Sequence, residues 1–396
     1  MSVMRAKPVH NSVSVKQLLN LIPDEELGRL AGETGVDYWA SVLYGKSMFY
    51  LLLYGLADSE KTSLRSLEDI FNSRRFKYLF NLDPDQTTRY NSISSRLATM
   101  DVSFFEEAYK LIFAIFRDHF SETAALGYNI VRVDSTMVAE TAGKLEKGMH
   151  VGSKNNKKQI KYTVCLEDLL PSSVQIFTEQ SQLNEDLTIP STILKMIDPH
   201  PDTVFVFDRG VKSRKAYEDI TKKEWMFVTR VKEGTRYEVV EELNTVKGSQ
   251  IGNLFIESDA WIYLYDGKSK KTNIPFRLIK TKNEQGKCFL FLSNMKDVTA
   301  EEIIMIYKKR WDIEVFFRFI KQELNFSHFI STNINGIKII AYMTLILSML
   351  IHIYKKYNRL GFKTAKRRVK IELDDLLTDL IIQASGGDPT IFFRGP

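Results

Sequence analysis

Apolar residues recur with the period of an α-helix through the first part of the chain. This spacing predicts helices at Val15–Ile22, Tyr38–Leu56, Ser63–Phe71, Asp85–Met100 and Ser103–Phe116. A capping box opens the last of them, with Ser103 as the N-cap and Glu106 as its partner. We therefore expect residues 1–125 to form a helical domain.

Residues 126–234 change to short apolar runs separated by two amphipathic stretches. The runs predict strands at Asn129–Asp134, Gln159–Leu166, Ser173–Thr178, Thr203–Asp208 and Trp225–Val231. The amphipathic stretches predict helices at Thr188–Ile197 and Ser213–Thr221. Strands that alternate with helices favour an α/β fold, in which helices cover the faces of a mixed sheet.

Residues 235–298 show β-rich runs without a helical stretch between them. The runs are Arg236–Glu241, Trp261–Tyr265, Ile274–Thr281 and Cys288–Ser293, with Gly267 and Gly286 as turn residues. We expect an antiparallel β insertion placed before the next helix.

Residues 299–360 return to the helical period. Thr299 and Glu302 predict a second capping box, which opens one helix running through Tyr307 and Lys321. The following run, Ile337–Tyr354, is strongly apolar and contains Lys338, so we expect a buried helix packed behind the previous one. A membrane span is the alternative for this run, which is slightly short for one.

Residues 361–396 form a basic tail, with Lys363, Lys366, Arg367, Arg368 and Lys370 close together. Such a run either contacts a DNA backbone or is simply solvated, and its sequence favours neither. A second group of lysines follows Asp134 and predicts a phosphate-contacting loop; its members are residues Lys144, Lys147, Lys154, Lys157, Lys158 and Lys161.

Composition changes this picture only slightly. The 396 residues carry a net charge of +6, which favours a polyanionic partner without identifying one. Cys165 and Cys288 are far apart and form neither a metal-binding nor a disulfide pattern. No secretory signal is evident at the N-terminus, so we expect a reducing, cytoplasmic location and no membrane.

Candidate chemistry lies where the predicted elements end. Asp134 and Asp208 each end a predicted strand, and ligands bind beyond the carboxyl ends of such strands. On a helix at about 100° per residue, Tyr307, Arg310, Glu314 and Lys321 fall within about 60° of arc. Three carboxylates that converge can hold Mg²⁺, and a pair of such ions can drive in-line attack on a phosphodiester.

These residues also carry a resemblance. The spacing Y-x2-R-x3-E-x6-K from Tyr307 to Lys321, with Asp134 in V-D-S-T and Asp208 in F-D-R-G, resembles the IS4-type DDE transposases from about residue 126 to about residue 354. The resemblance implies a ribonuclease-H-like catalytic core, with Asp134, Asp208 and Glu314 as ligands of two Mg²⁺ ions for which Mn²⁺ can substitute. It further implies that Tyr307, Arg310 and Lys321 bind the DNA.

The same resemblance implies a homodimer that synapses terminal inverted repeats of double-stranded DNA before attacking target DNA, with a hairpin intermediate. It also implies that an aromatic of the β insertion stacks on a flipped base, for which Phe289 and Trp261 are the candidates. Terminal-repeat binding would fall to the helical domain, where Arg89 and Arg96 lie among short polar side chains suited to base and phosphate contacts. By its residues alone, that stretch is equally well a solvated helix face.

The sequence therefore predicts a transposase that moves an insertion sequence by a cut-and-paste reaction. Two alternatives remain open. One is a ribonuclease-H-like nuclease that cuts DNA without joining it, and the other is a catalytically silent, transposase-derived DNA-binding protein.

Overall fold

A computed structural model describes residues 12–58, 62–120, 126–140, 144–152, 157–196, 199–243, 248–267 and 269–392. The chain forms two compact units. The helical unit comprises Met1–Phe120, Ala142–Lys147 and Arg318–Pro396, and the α/β unit comprises Ser121–Thr141 and Gly148–Phe317.

The helices and strands of the described residues follow in chain order. The helices are α1 Val15–Asn20, α2 Asp24–Thr34, α3 Gly45–Asp58, α4 Leu64–Asn72, α5 Arg74–Leu79, α6 Tyr90–Thr99, α7 Ser103–Phe120, α8 Glu185–Leu194, α9 Arg214–Lys222, α10 Ala300–Lys308, α11 Trp311–Glu323, α12 Ile334–Tyr357, α13 Phe362–Ala384 and α14 Pro389–Phe392. The strands are β1 Asn129–Ala139, β2 Met149–His150, β3 Lys158–Glu167, β4 Leu170–Phe177, β5 Thr203–Val206, β6 Met226–Val231, β7 Tyr237–Glu242, β8 Gln250–Ile251, β9 Leu254–Leu264, β10 Phe276–Asn283 and β11 Cys288–Ser293. A single 3₁₀ turn, Gln180–Leu183, precedes α8.

Within the helical unit, most N-terminal helices form near their predicted positions, although several boundaries differ. The predicted helix from Tyr38 begins only at Gly45, because Gly35 and Trp39 adopt positive φ and break the helical path. Helix α6 likewise begins at Tyr90 and not at Asp85.

The predicted Ser103 capping box is also wrong. Ser103 is the first residue of α7, and its amide donates to the Asp101 carboxylate. The helix extends four residues beyond the predicted end at Phe116, to Phe120.

Helix α12 is the core of the helical unit. By length and hydropathy it could span a membrane, but 89% of its apolar window is buried, as in the core helix of a globular protein. Its principal neighbours are α3, α6, α7 and α13. The expected burial is confirmed, and the expected packing against the helix of Glu314 stays a prediction.

The α/β unit is built on one mixed sheet, so the predicted α/β class is confirmed. Its strands are hydrogen-bonded in the order β2-β3-β1-β5-β6-β11-β10-β9-β7, with β4 beside β3 and β8 beside β9. Strand β1 is antiparallel to β3 and parallel to β5, and β5 is parallel to β6. The strands predicted as an antiparallel insertion continue this same sheet, because β11 pairs with the edge of β6.

Alternate residues of the central strands face opposite layers. Val131, Val133 and Phe205 belong to a core cluster that includes side chains of α8 and α9. Ile130, Val204 and Val206 belong to the opposite cluster, which includes side chains of α10. Even-numbered positions of β1 and β5 therefore point towards the layer of α10.

The predicted helix from Thr299 through Lys321 is two helices. Its capping box is confirmed, since the Thr299 hydroxyl accepts from the Glu302 amide while the Glu302 carboxylate accepts from the Thr299 amide. However, α10 ends at Lys308 and α11 starts at Trp311, with hydrogen bonds spanning three residues between them. The helical arc predicted for the Tyr, Arg, Glu and Lys spacing therefore does not extend unbroken from Tyr307 to Lys321.

A buried arginine explains where this break falls. Arg132 of β1 donates from Nε to the Lys309 carbonyl at 3.3 Å, and from Nη2 to the Asp312 carboxylate at 3.0 Å. The break leaves the Lys309 carbonyl accessible, and Arg132 supplies a donor for it. This tertiary contact fixes the start of α11 against β1.

Candidate active site

Asp134 and Asp208 occupy equivalent positions on neighbouring parallel strands. The β1–β5 ladder ends where Arg132 pairs with Val206. Each aspartate lies two residues beyond that pair, on the face of the sheet towards α10. The prediction that Asp134 ends its strand is wrong, because β1 continues to Ala139, paired there with β3 alone. Both aspartates nevertheless lie where the parallel pairing of β1 with β5 stops.

Arg310 and Glu314 approach these aspartates from the break between α10 and α11. The Arg310 Nη2 donates to Glu314 Oε1, and its Nη1 lies 3.6 Å from Asp134 Oδ2. Arg310 and Glu314 are four residues apart at the start of α11, where such a pair shares one helix face. One guanidinium therefore bridges a carboxylate of the sheet and a carboxylate of the helix.

The environment of Asp134 is unfavourable for a bare negative charge. The pKa of Asp134 is raised to about 7, chiefly by burial and also by the neighbouring carboxylates of Asp208 and Glu185. The Ser135 amide, which donates to Asp134 Oδ1 at 2.7 Å, and the Arg310 guanidinium oppose this rise in pKa. The site therefore holds more buried carboxylate than its own cations neutralise.

This donor set suits a hard divalent cation. Carboxylate oxygens are the ligands that Mg²⁺ and Mn²⁺ prefer, and a bound cation would relieve the like-charge repulsion around Asp134. In the described part of the chain, no three His, Cys, Asp or Glu side chains are already grouped as a metal site. Arg310 occupies the position between Asp134 and Glu314, so cation binding requires Glu314 to exchange this partner.

Tyr307 adjoins the same arginine at the end of α10. Burial raises the pKa of the Tyr307 hydroxyl, while Arg310 and Arg230 oppose the rise. Its ring packs edge-on against Phe291, with centroids 5.3 Å apart. Tyr307, Arg310, Glu314, Asp134 and Asp208 thus belong to one site of the α/β unit.

Comparisons with known proteins agree with this geometry. Residues 126–350 match the family described as "Transposase DDE domain", which is more than half of the chain. The protein belongs to the DDE transposase family. The matched segment begins just before β1 and includes every carboxylate named above.

Three relatives carry transposase names. A transposase of Sinorhizobium fredii is 29% identical over 39% of this chain and 44% of its own length. A Synechocystis protein named as the transposase of insertion sequence element IS4SA is 26% identical over 74% of this chain and 77% of its own length. A Geobacillus stearothermophilus protein named for insertion sequence element IS5377 is 23% identical over 52% of this chain and 51% of its own length. The chain thus spans less than half of the first relative and about half of the third.

Lys321, the last residue of the transposase signature, lies in the final turn of α11 and is assigned to the helical unit. It is half-buried, and this burial lowers its pKa. It shares a helix with Glu314, seven residues earlier, and so lies on a nearby face of α11 two turns away.

The two aromatic candidates lie in different surroundings. Phe289 of β11 is half-buried beneath Arg230, whose guanidinium carbon is 4.7 Å from the ring centroid. The same guanidinium lies 5.9 Å from the Tyr307 ring, which links Phe289 to the site. Trp261 lies on β9, opposite Glu241 and Arg277. Of the two aromatics, Phe289 is the one that the structure connects to Tyr307.

The two arginines of the predicted DNA-binding helix also differ. Arg89 is exposed and is the N-cap residue of α6, to which its side chain contributes no hydrogen bond. Arg96 donates from Nε to the Leu43 carbonyl at 2.9 Å and from Nη2 to the Val36 carbonyl. Arg96 therefore stabilises the loop before α3, and only Arg89 presents an exposed guanidinium.

Sequence reasoning missed three residues of the site. Arg132 interrupts an apolar strand and anchors the start of α11. Arg230 interrupts the apolar strand β6, and its Nε is buried and lacks a hydrogen-bond partner. A charged residue within an apolar run was the available signal in both cases. The third is Glu185, whose signal was weak because it opens a helix, where acidic residues are common for reasons unrelated to chemistry. Of the predicted phosphate-contacting lysines, Lys154 lies outside the described residues.

Proposed function

We propose that this DDE transposase is of the IS4 type and moves an insertion sequence by metal-dependent cleavage of its DNA ends followed by strand transfer. The observation that carries the proposal is the pairing of Asp134 and Asp208 just beyond the β1–β5 ladder, with Glu314 joined to Asp134 through Arg310. The strand order β4-β3-β1-β5-β6, in which only β3 is antiparallel to β1, supports a ribonuclease-H-like core.

In this proposal Asp134, Asp208 and Glu314 hold two Mg²⁺ ions, or Mn²⁺ in their place. Bound cations would activate a water or a DNA 3′-hydroxyl and stabilise the leaving oxygen. The carboxylates would orient these groups, and Asp134 would do so from a largely desolvated position.

The neighbouring cations and the phenol would bind the DNA end. If Glu314 held a divalent cation, the Arg310 guanidinium would be free to pair with a phosphate, for which its planar fork is suited. Tyr307 and Lys321 would contact the same strand, and Phe289 is the preferred stacking partner for a flipped base, with Trp261 the less favoured. A hairpin on the transposon end and a synaptic homodimer complete the proposal.

Terminal inverted repeats would be bound by the helical domain, residues 1–125, through Arg89 and the exposed polar side chains of α6. The proposed catalytic core comprises residues 126–234 and 299–317, with an inserted β region at 235–298. Residues 318–360 and the predicted basic tail (361–396), of which Phe362–Ala384 form α13, belong to the helical unit. Such a protein would act at the nucleoid of a bacterial cytoplasm, where both the DNA ends of the insertion sequence and the target DNA are found.

The test is a reaction of the full-length protein with a labelled DNA duplex carrying the inverted repeats that flank its gene, plus a plasmid target and Mg²⁺. We expect cleaved ends that become joined to the plasmid. Cleaved ends without joined product would identify a nuclease, and specific binding without cleavage would identify a silent DNA-binding protein. Glu284→Gln, an exposed change in the turn after β10, serves as the matched control.

A further inference from the structure

A fourth carboxylate, that of Glu185, lies beside Asp208. A Cβ placed on Gly210 would lie 1.5 Å from Glu185 Oε2 and 2.8 Å from Asp208 Oδ1. The two carboxylate oxygens are therefore no more than about 4.3 Å apart, the sum of those distances. The position of Gly210 is thus the space into which the Glu185 carboxylate projects.

Gly210 is needed for that space and not for its backbone conformation. It is not among the glycines with positive φ, so an alanine could adopt its backbone angles. The glycine of the Asp-Arg-Gly motif therefore admits a carboxylate from α8, since any side chain at this position would displace Glu185.

The segment around Glu185 is fastened to the loop that carries Asp208. The Asn184 side chain caps α8 by accepting from the Asp186 amide at 3.0 Å. Asp186 Oδ1 accepts from the backbone amides of Ser213, at 2.8 Å, and Lys212. Glu185 lies between these two anchors, which hold its side chain towards Asp208.

The charges around Glu185 leave room for a cation. Burial raises the pKa of the Glu185 carboxyl, and Asp208 raises it further, while Lys161 opposes the rise. Lys161 is a buried lysine of β3 that also interacts with Asp134, and its ammonium donates to the Leu183 carbonyl at 3.0 Å. No ion pair within 4.0 Å joins Lys161 to Glu185 among the salt bridges of the described residues, so this lysine balances the cluster without occupying the space between Glu185 and Asp208.

We propose that Glu185 is a fourth carboxylate of the cation-binding site, placed beside Asp208 through the absence of a side chain at Gly210. Two half-buried carboxylates this close repel each other when both are ionised, and a divalent cation relieves that repulsion while gaining oxygen ligands of the preferred kind. The inference rests on the proposed function, because it assumes that Asp208 binds the cation.

The test is calorimetric titration of the full-length protein with Mn²⁺, without DNA, for the wild type and for Glu185→Gln and Glu284→Gln. Loss of a carboxylate at the site should weaken Mn²⁺ binding roughly 10- to 100-fold for Glu185→Gln, whereas the exposed Glu284→Gln should bind like the wild type. Asp208→Asn is the reference for the loss of a ligand of the proposed function. Thermal unfolding of each variant reports whether the fold is retained.

Gly210→Ala provides a second variant that keeps every charge. Its Cβ must displace the Glu185 carboxylate, the far end of a flexible side chain, and would also crowd Asp208 Oδ1 at 2.8 Å, so the protein should fold and lose at least as much Mn²⁺ affinity as Glu185→Gln. Wild-type affinity in both Glu185→Gln and Gly210→Ala, with a loss in Asp208→Asn, would overturn the role of Glu185 and leave the proposed function standing. Failure of the wild type to bind Mn²⁺ would overturn the metal-dependent function, and the inference with it.

Discussion

Two arginines of the α/β unit meet buried carboxylates in opposite ways. Arg277 of β10 and Asp259 of β9 form a bidentate pair, with Nε to Oδ1 at 2.9 Å and Nη2 to Oδ2 at 2.6 Å. The third nitrogen of Arg277 donates to the Val298 carbonyl, and the side chains are 5% and 0% exposed. Arg310, in contrast, is shared between Asp134 and Glu314, and it contacts Asp134 only at 3.6 Å.

The difference shows what separates a structural ion pair from a reactive site. In the Arg277–Asp259 pair, both oxygens and all three guanidinium nitrogens have partners, so the pair has little capacity left for a ligand. Around Arg310, one cation faces several carboxylates, and the pKa of Asp134 is raised to about 7. A cluster with excess negative charge is stabilised by an added cation, and this is the property that metal-dependent chemistry needs.

The largest expected effect comes from removing the carboxylates of the reactive cluster. Asp134→Ala, Asp208→Ala and Glu314→Ala should each abolish DNA cleavage, because each removes a proposed cation ligand. Binding to the DNA ends and thermal unfolding should stay close to wild type. Cleavage of a labelled end in Mg²⁺ measures this, and a variant that still cleaves at the wild-type rate would remove its residue from the site.

The structural pair should respond through stability alone. Arg277→Met leaves Asp259 buried without its partner and should lower the free energy of unfolding by about 3–5 kcal/mol. The double variant Arg277→Met with Asp259→Leu should recover much of that loss, because no buried charge remains. Urea unfolding followed by tryptophan fluorescence checks both. If Arg277→Met were as stable as the wild type, the Arg277–Asp259 pair would not be a stabilising contact.

A pH titration of stability sharpens the contrast. The pKa of Asp134 is about 7 in the folded protein and 3.8 ordinarily, so between these values the folded state holds a proton that the unfolded state has lost. This contribution is fully present below about pH 4 and disappears as the pH rises through about 7, for a loss on the order of 2–4 kcal/mol.

Thermal unfolding of the cation-free protein should therefore show a decline over this pH window that is absent in Asp134→Asn. Saturating Mg²⁺ should reverse the decline in the wild type, since the ionised form is the one that binds a cation. A decline of equal size in the variant would assign it to other groups.

The smallest expected effect concerns Arg89 and Arg96 of the helical unit. They offer the same contrast, because Arg96 has structural partners and Arg89 is exposed. Arg89→Ala should weaken binding to the terminal repeat by about 1–3 kcal/mol at particular base pairs if Arg89 reads bases. Arg96→Ala should instead lower the free energy of unfolding by about 1–3 kcal/mol, because the Val36 and Leu43 carbonyls lose their donor. Binding to repeat and scrambled DNA, alongside thermal unfolding, separates the two. A loss of stability in Arg89→Ala but not in Arg96→Ala would contradict the structural role of Arg96 and give that role to Arg89.

Much of the fold could be predicted where local signals are strong. The central strands and the Thr299 capping box follow from side-chain patterns confined to a few residues. The break at Lys309 could not be predicted, because it depends on Arg132, which is 177 positions away in the chain. The continuous sheet was missed for a similar reason, since the β6–β11 pairing joins strands separated by about sixty residues.

For the candidate site, the sequence by itself singled out the residues proposed to carry the chemistry: two aspartates that follow apolar runs and a spaced Tyr, Arg, Glu and Lys set. The tertiary structure alone decided how they meet. The ladder register sets Asp134 beside Asp208, Arg310 bridges two carboxylates, and Gly210 leaves room for Glu185. The physical reason is that residue type and spacing are local properties, whereas charge balance within a buried cluster depends on every element that packs against it.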